Sequence, residues 1–268
     1  MKSKYSGLWL LLAISLLIIT IVAFMDDFEL FGLRVKKAPI AENLTGQYKT
    51  TEEIQQEERQ VMMEAEQKSK PQHNEVDTMP QVFLIFGDSM TQNIALRLAA
   101  YARQNGHEVH TVNWDSSGTK IWSKTDTLTH FIGKYHPTYI FVSLGGNESG
   151  YGKPDVLVPN VRTILSKIGD IPFVWIGPPS LKNGESDKYS DMLGATLPAG
   201  TFFRSDGLEL ERRGDKIHPT VAAAAYQVDS LARWIRTSAH PIRMEFPADS
   251  VAKTKIKDTN IVYLKPMH

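Results

Sequence analysis

Gln81–Thr91 reads QVFLIFGDSMT. The run Val82–Phe86 is continuously apolar, short for a helix and rich in β-formers, so it predicts a buried strand. Gly87 breaks the run, and Asp88-Ser89 follow. The apolar pattern from about Ile94 to Tyr101 then predicts a helix. Ser89 therefore falls on a strand-to-helix turn at the rim of a sheet. Ligands of open α/β sheets bind at the carboxyl ends of strands, and a helix N-terminus there favours developing negative charge. A nucleophilic hydroxyl suits that place. So does an N-cap, because Ser and Asp start helices in proteins of every kind.

Working outward, a second strand is expected at Val109–Val112, after Asn105-Gly106; the apolar run Tyr139–Leu144 predicts a third and Pro172–Ile176 a fourth, with a short fifth near Thr201–Arg204. Leu157, Val161, Ile164, Leu165 and Ile168 repeat at helical spacing. Val228, Leu231 and Ile235 mark a last helix. Apolar strands alternating with amphipathic helices predict an α/β fold with a parallel sheet covered on both faces. The tail 239–268 is read as a C-terminal extension on or beside this domain. Within it Ile261–Leu264 either adds an edge strand or packs on the surface.

Toward the N-terminus the character changes. Ser6–Met25 carries no charged side chain and has the length of a bilayer core. Lys2 and Lys4 precede it, and Asp26, Asp27 and Glu29 follow. The expectation is an N-terminal transmembrane helix within residues 1–27, with the N-terminus cytoplasmic and the remainder outside, in the periplasm. A cleaved signal peptide is the rival, but large residues stand where a small-x-small cleavage site would be needed. Residues 28–80 read as a polar stalk or linker. Thr50 and Glu53 suit a capping box, and the polar helix expected up to about Lys68 has too few apolar residues for a core-facing stripe. The domain proper is expected over 81–238.

The chain has 268 residues, no net formal charge and no cysteine. Neutral balance argues against a nucleic-acid partner. The absence of cysteine excludes disulfides, thiolate metal sites and a cysteine nucleophile. His107 and His110 resemble a metal pair, but an odd offset on a strand puts them on opposite faces, and no metal or cofactor is expected. Pro178-Pro179 is expected to shape a loop at the catalytic rim, near Tyr151 and Trp114.

Four short stretches fall at loops: Gly87-Asp88-Ser89, Ser116-Ser117-Gly118, Gly145-Gly146-Asn147 and Asp215-Lys216-Ile217-His218. In a parallel sheet the first three emerge at one rim. Acyl transfer needs a nucleophile, a base, a group orienting the base and oxyanion donors. Ser89 fits the nucleophile, His218 the base and Asp215 the orienting carboxylate. The amides of Ser89 and Gly118 and the side chain of Asn147 fit the oxyanion donors. Each also has a structural reading, as turn glycine, turn cap or surface histidine; their order and placement together favour catalysis.

Those stretches resemble the blocks of the SGNH/GDSL hydrolase superfamily: GDS at 87–89, the second-block glycine at Gly118, GxN at 145–147 and DxxH at 215–218. The resemblance spans roughly Gln81–Thr237. It implies a flavodoxin-like three-layer α/β/α sandwich, an acyl-enzyme on Ser89, and Gly118 and Asn147 in the oxyanion hole. The third block often reads GxND; here Glu148 replaces the aspartate. The G-x-S-x-G elbow of α/β-hydrolases is absent. Membrane-anchored proteins of this kind are often similar to carbohydrate O-acetylesterases and O-acetyltransferases. The expected partners are therefore an envelope polysaccharide or peptidoglycan, with a membrane acyl-donor protein as a further one. Lipid or small esters are the alternative substrates, and a non-catalytic glycan-binding protein of the same fold is the alternative class.

Overall fold

The computed structural model describes residues 7, 11–17, 20, 28–30, 33–35, 75–150, 152–180, 187–248 and 255–265. The chain divides into two units, Met1–Lys70 and Pro71–His268. In the first, residues 11–17 are helical, but most of the expected membrane span and the expected helix over 50–68 lie outside the described residues. Among the described residues no helix is long and apolar enough to cross a membrane. Where the sequence suggested only spacer, Phe28–Leu30 and Leu33–Val35 pair as antiparallel strands. FEL and LRV each alternate apolar and polar residues, the period-two pattern of a strand.

The second unit is built on six parallel strands: β1 (Val82–Gly87), β2 (Glu108–Trp114), β3 (Tyr139–Ser143), β4 (Phe173–Ile176), β5 (Phe202–Phe203) and β6 (Ile261–Leu264). Their spatial order is β5-β4-β3-β1-β2-β6. The first five follow the flavodoxin-like order, and the direction of winding reverses between β1 and β3. Ile261–Leu264 thus resolves as an edge strand, pairing in parallel with Thr111–Trp114.

Alternation along β1 divides the core. Phe83 and Ile85 face α1 (Thr91–Asn105) and α6 (Val221–Ile235). Leu84 and Phe86 face the opposite layer, built from α2 (Thr119–Lys124), α3 (Thr127–Tyr135), α4 (Val158–Ile168) and α5 (Lys188–Thr196). All four β1 side chains are fully buried, each contributing about 2 kcal/mol of transfer free energy. The result is a three-layer α/β/α sandwich. Arg97 on α1 locks the first layer by donating to Asp229 on α6 at 2.7 Å, while Tyr101 donates to the same carboxylate at 3.0 Å.

The histidine pair is corrected in one respect. β2 begins at Glu108, so His107 precedes the strand. Its Nδ1 accepts from the Gln81 amide and its Nε2 donates to the Arg243 carbonyl, leaving neither nitrogen for a metal. Among the described residues no group of three or more side chains is suited to a metal ion.

Candidate active site

The carboxyl ends of β1 and β3 lie side by side at the reversal point. A Cβ on Gly87 would sit 1.8 Å from the Ser143 carbonyl oxygen, so only glycine lets the two strands approach this closely. The Asp88 amide donates to that same oxygen at 3.1 Å. The turn then carries Ser89 and enters α1, whose N-cap is Met90 and lacks a side-chain cap bond. The capping alternative for Ser89 is therefore unused. Its hydroxyl instead lies 2.8 Å from Nε2 of His218.

His218 stands on a loop closed at its base by the Arg212–Pro219 bridge. The Arg213 amide donates to the His218 carbonyl at 2.8 Å, and Arg212 donates to the carbonyls of Ile217 and Ser180. Asn93 on α1 donates to the Pro219 carbonyl at 3.1 Å, fastening this loop to the serine turn. Lys216, with φ 59°, makes the left-handed step that turns Asp215 back toward His218. Asp215 Oδ2 lies 2.9 Å from His218 Nδ1, and Oδ1 accepts the amides of Ile217 and His218. Those backbone donors, then the imidazole, lower the Asp215 pKa to about 2. The carboxylate is charged at any ordinary pH, and its bond to Nδ1 leaves Nε2 free to accept from Ser89. Ser89, His218 and Asp215 thus form one continuous hydrogen-bonded line.

Asn147 donates its side-chain amide to the Ser117 carbonyl at 2.8 Å, using one of two amide hydrogens. Among the described residues the backbone N–H groups of Ser89 and Gly118 donate to no other group. All three expected oxyanion donors therefore have a hydrogen to give.

Asp88, Glu148 and Tyr189, none of them assigned a role from the sequence, complete the site. Asp88 is buried and accepts from the amides of Met90, Gly145 and Gly146, at 3.0, 3.2 and 2.8 Å. Burial outweighs those bonds and raises its pKa to about 6. Glu148 is buried as well and accepts from the Thr119 amide and hydroxyl. Tyr189 on α5 packs its ring on Gly145, where a Cβ would come within 2.3 Å at φ +126°. The identity of Glu148 was visible in the departure from GxND. Tyr189 had no sequence signal, because α5 was not legible. Trp114 packs on Trp122 and donates to the Lys265 carbonyl beside the edge strand; Tyr151 lies outside the described residues.

No family model matches the chain, and no curated protein matches it either. Among solved structures it aligns with one described as a gut microbial diltiazem-metabolizing enzyme, at 12% identity and a TM-score of 0.33. That alignment covers 65% of this chain and 38% of the other. A likeness of that strength assigns neither fold nor activity.

Proposed function

We propose that this domain is a serine hydrolase or acyltransferase of the SGNH type, acting through an acyl-enzyme on O-acetyl esters of a cell-envelope glycan. The observation that carries it is the unbroken line Asp215–His218–Ser89, with contacts of 2.9 and 2.8 Å. In the mechanism Ser89 Oγ attacks the ester carbonyl and its proton passes to His218 Nε2. The oxyanion is met by the amides of Ser89 and Gly118 and the free amide hydrogen of Asn147. Collapse breaks the ester bond, and His218 returns the proton to the leaving alcohol. Water, or a sugar hydroxyl, then attacks the acyl-serine with His218 again as base, giving hydrolysis or transfer.

The apolar N-terminal stretch supports membrane attachment, with the domain held outside near a polymeric substrate.

The test is turnover of a chromogenic acetyl ester and labelling by an organophosphonate. Ser89→Ala is expected to lower turnover by at least ~10³-fold and to abolish labelling. Equal turnover by the variant removes the acyl-enzyme. Acetate release from an acetylated glycan, with and without an acceptor sugar, separates esterase from transferase.

A further inference from the structure

The second-block turn and the third-block loop both supply candidate oxyanion donors, yet they follow different strands. Gly118 comes after β2 and Asn147 after β3, and these strands flank β1 without touching each other. Something must hold the two donors in register. Backbone pairing within the sheet cannot, because β1 stands between them.

Glu148 crosses that gap. Its side chain turns inward and is only 8% exposed. Oε1 accepts from the Thr119 amide at 2.7 Å and from the Thr119 hydroxyl at 2.5 Å. The same oxygen would lie 2.9 Å from a Cβ on Gly118. On the other side of the peptide, Asn147 donates to the Ser117 carbonyl. Residues 117, 118 and 119 are thus gripped from 147 and 148. The grip leaves the Gly118 N–H unpaired. Glutamate is one methylene longer than the aspartate of the GxND pattern, and that length supplies the reach to Thr119.

The second oxygen, Oε2, is buried beside the buried Tyr189 hydroxyl, the two facing each other without full hydrogen-bond geometry. Burial raises the pKa of both groups; the neighbouring Glu148 and Asp88 carboxylates raise Tyr189 further, while the Thr119 donors and Tyr189 pull Glu148 back down.

We propose that Glu148 is a positioning residue that holds the Gly118 and Asn147 donors in register, acting as a hydrogen-bond acceptor toward Thr119. The proposal rests on the esterase reading of this site. It predicts that Glu148→Ala lowers kcat about 10- to 100-fold with KM changed less than about threefold. Glu148→Gln, which keeps an acceptor oxygen and lacks charge, is expected to restore kcat to within about threefold of the parent. Thr119→Val removes the hydroxyl donor alone and is expected to lower kcat severalfold at unchanged KM.

The measurement is acetyl-ester kinetics of the full-length protein and its variants, with organophosphonate labelling alongside. An unchanged kcat in Glu148→Ala, a loss confined to KM, or equal damage from Gln and Ala would each overturn the proposal. If Glu148→Ala does not fold, Thr119→Val decides, and an unchanged kcat there overturns it. Failure of the parent protein to hydrolyse or label rejects the esterase reading itself, a result distinct from any of these.

Discussion

Asp88 and Asp215 stand at opposite sides of the same serine, and each accepts three N–H donors. Their pKa values nevertheless move in opposite directions, to about 6 for Asp88 and about 2 for Asp215. Hydrogen bonding to the charged form is common to both; burial is not. Asp88 is 1% exposed, whereas the Asp215 side chain keeps 43% of its surface in solvent. Desolvation disfavours the ionised carboxylate enough to overcome three donors. The pair separates two tasks. The exposed carboxylate remains charged and orients the His218 imidazole, while the buried one ties two loops together at an electrostatic cost.

The largest expected effect lies on the exposed member. Asp215→Asn presents His218 with an amide that does not enforce the working tautomer, and kcat should fall by about 10³-fold or more. The melting temperature should change little, since the lost interactions are at the surface. A variant that keeps its activity would mean that Asp215 only shapes the turn.

The next effect is a pH dependence that tells the two carboxylates apart. The folded-state pKa of Asp88 lies above its unfolded value of 3.8, so ionising it costs folding stability. That penalty is absent below the unfolded pKa, grows as pH rises, and is complete above about 6. Compared with Asp88→Asn, the parent should therefore gain up to about 3 kcal/mol of unfolding free energy as pH falls from 7 to 4. Asp215 has the opposite sign. Its contribution is present above 3.8 and is lost as pH falls through about 2, so Asp215→Asn should leave the slope between pH 4 and 7 unaltered. Denaturant midpoints at both pH values measure this, and a flat difference between the parent and Asp88→Asn would refute the burial argument.

The smallest effect tests the turn that aims Asp215. Lys216 holds φ 59°, a conformation that costs a side-chain-bearing residue about 1 kcal/mol. Lys216→Gly should raise stability by a fraction of that amount and leave ester turnover within about twofold. A marked loss of turnover would show that the lysine side chain has a role beyond its backbone.

Much of this architecture was legible along the chain. Apolar runs such as Phe83–Phe86, short and rich in β-formers, favour buried strands, and β1 to β4 fall within a few residues of their expected places. Ser89 and Asn147 stood out beside glycine breaks after apolar strands, and Gly118, Asp215 and His218 through their order along the chain and their resemblance to known blocks. The short helices α2, α3 and α5 were not legible. Thr119–Lys124 is a single polar-rich turn and a half whose only fully buried large side chain is Trp122, too little periodicity to read. With α5 went Tyr189, which touches Gly145 across 44 residues of sequence, a contact that only the sheet order creates.

Residue type and spacing alone determined which groups the rim would carry: one alcohol, one imidazole three residues after a carboxylate, and small residues that let backbones approach. They also set the alternation that packs β1 on both faces. What the folded arrangement decided was the environment of each group. Asp88 and Asp215 are the same amino acid with similar donors, and their opposite behaviour comes from how much water each retains. Solvation is a property of the packing around a side chain, and it enters only when strands distant in sequence become neighbours.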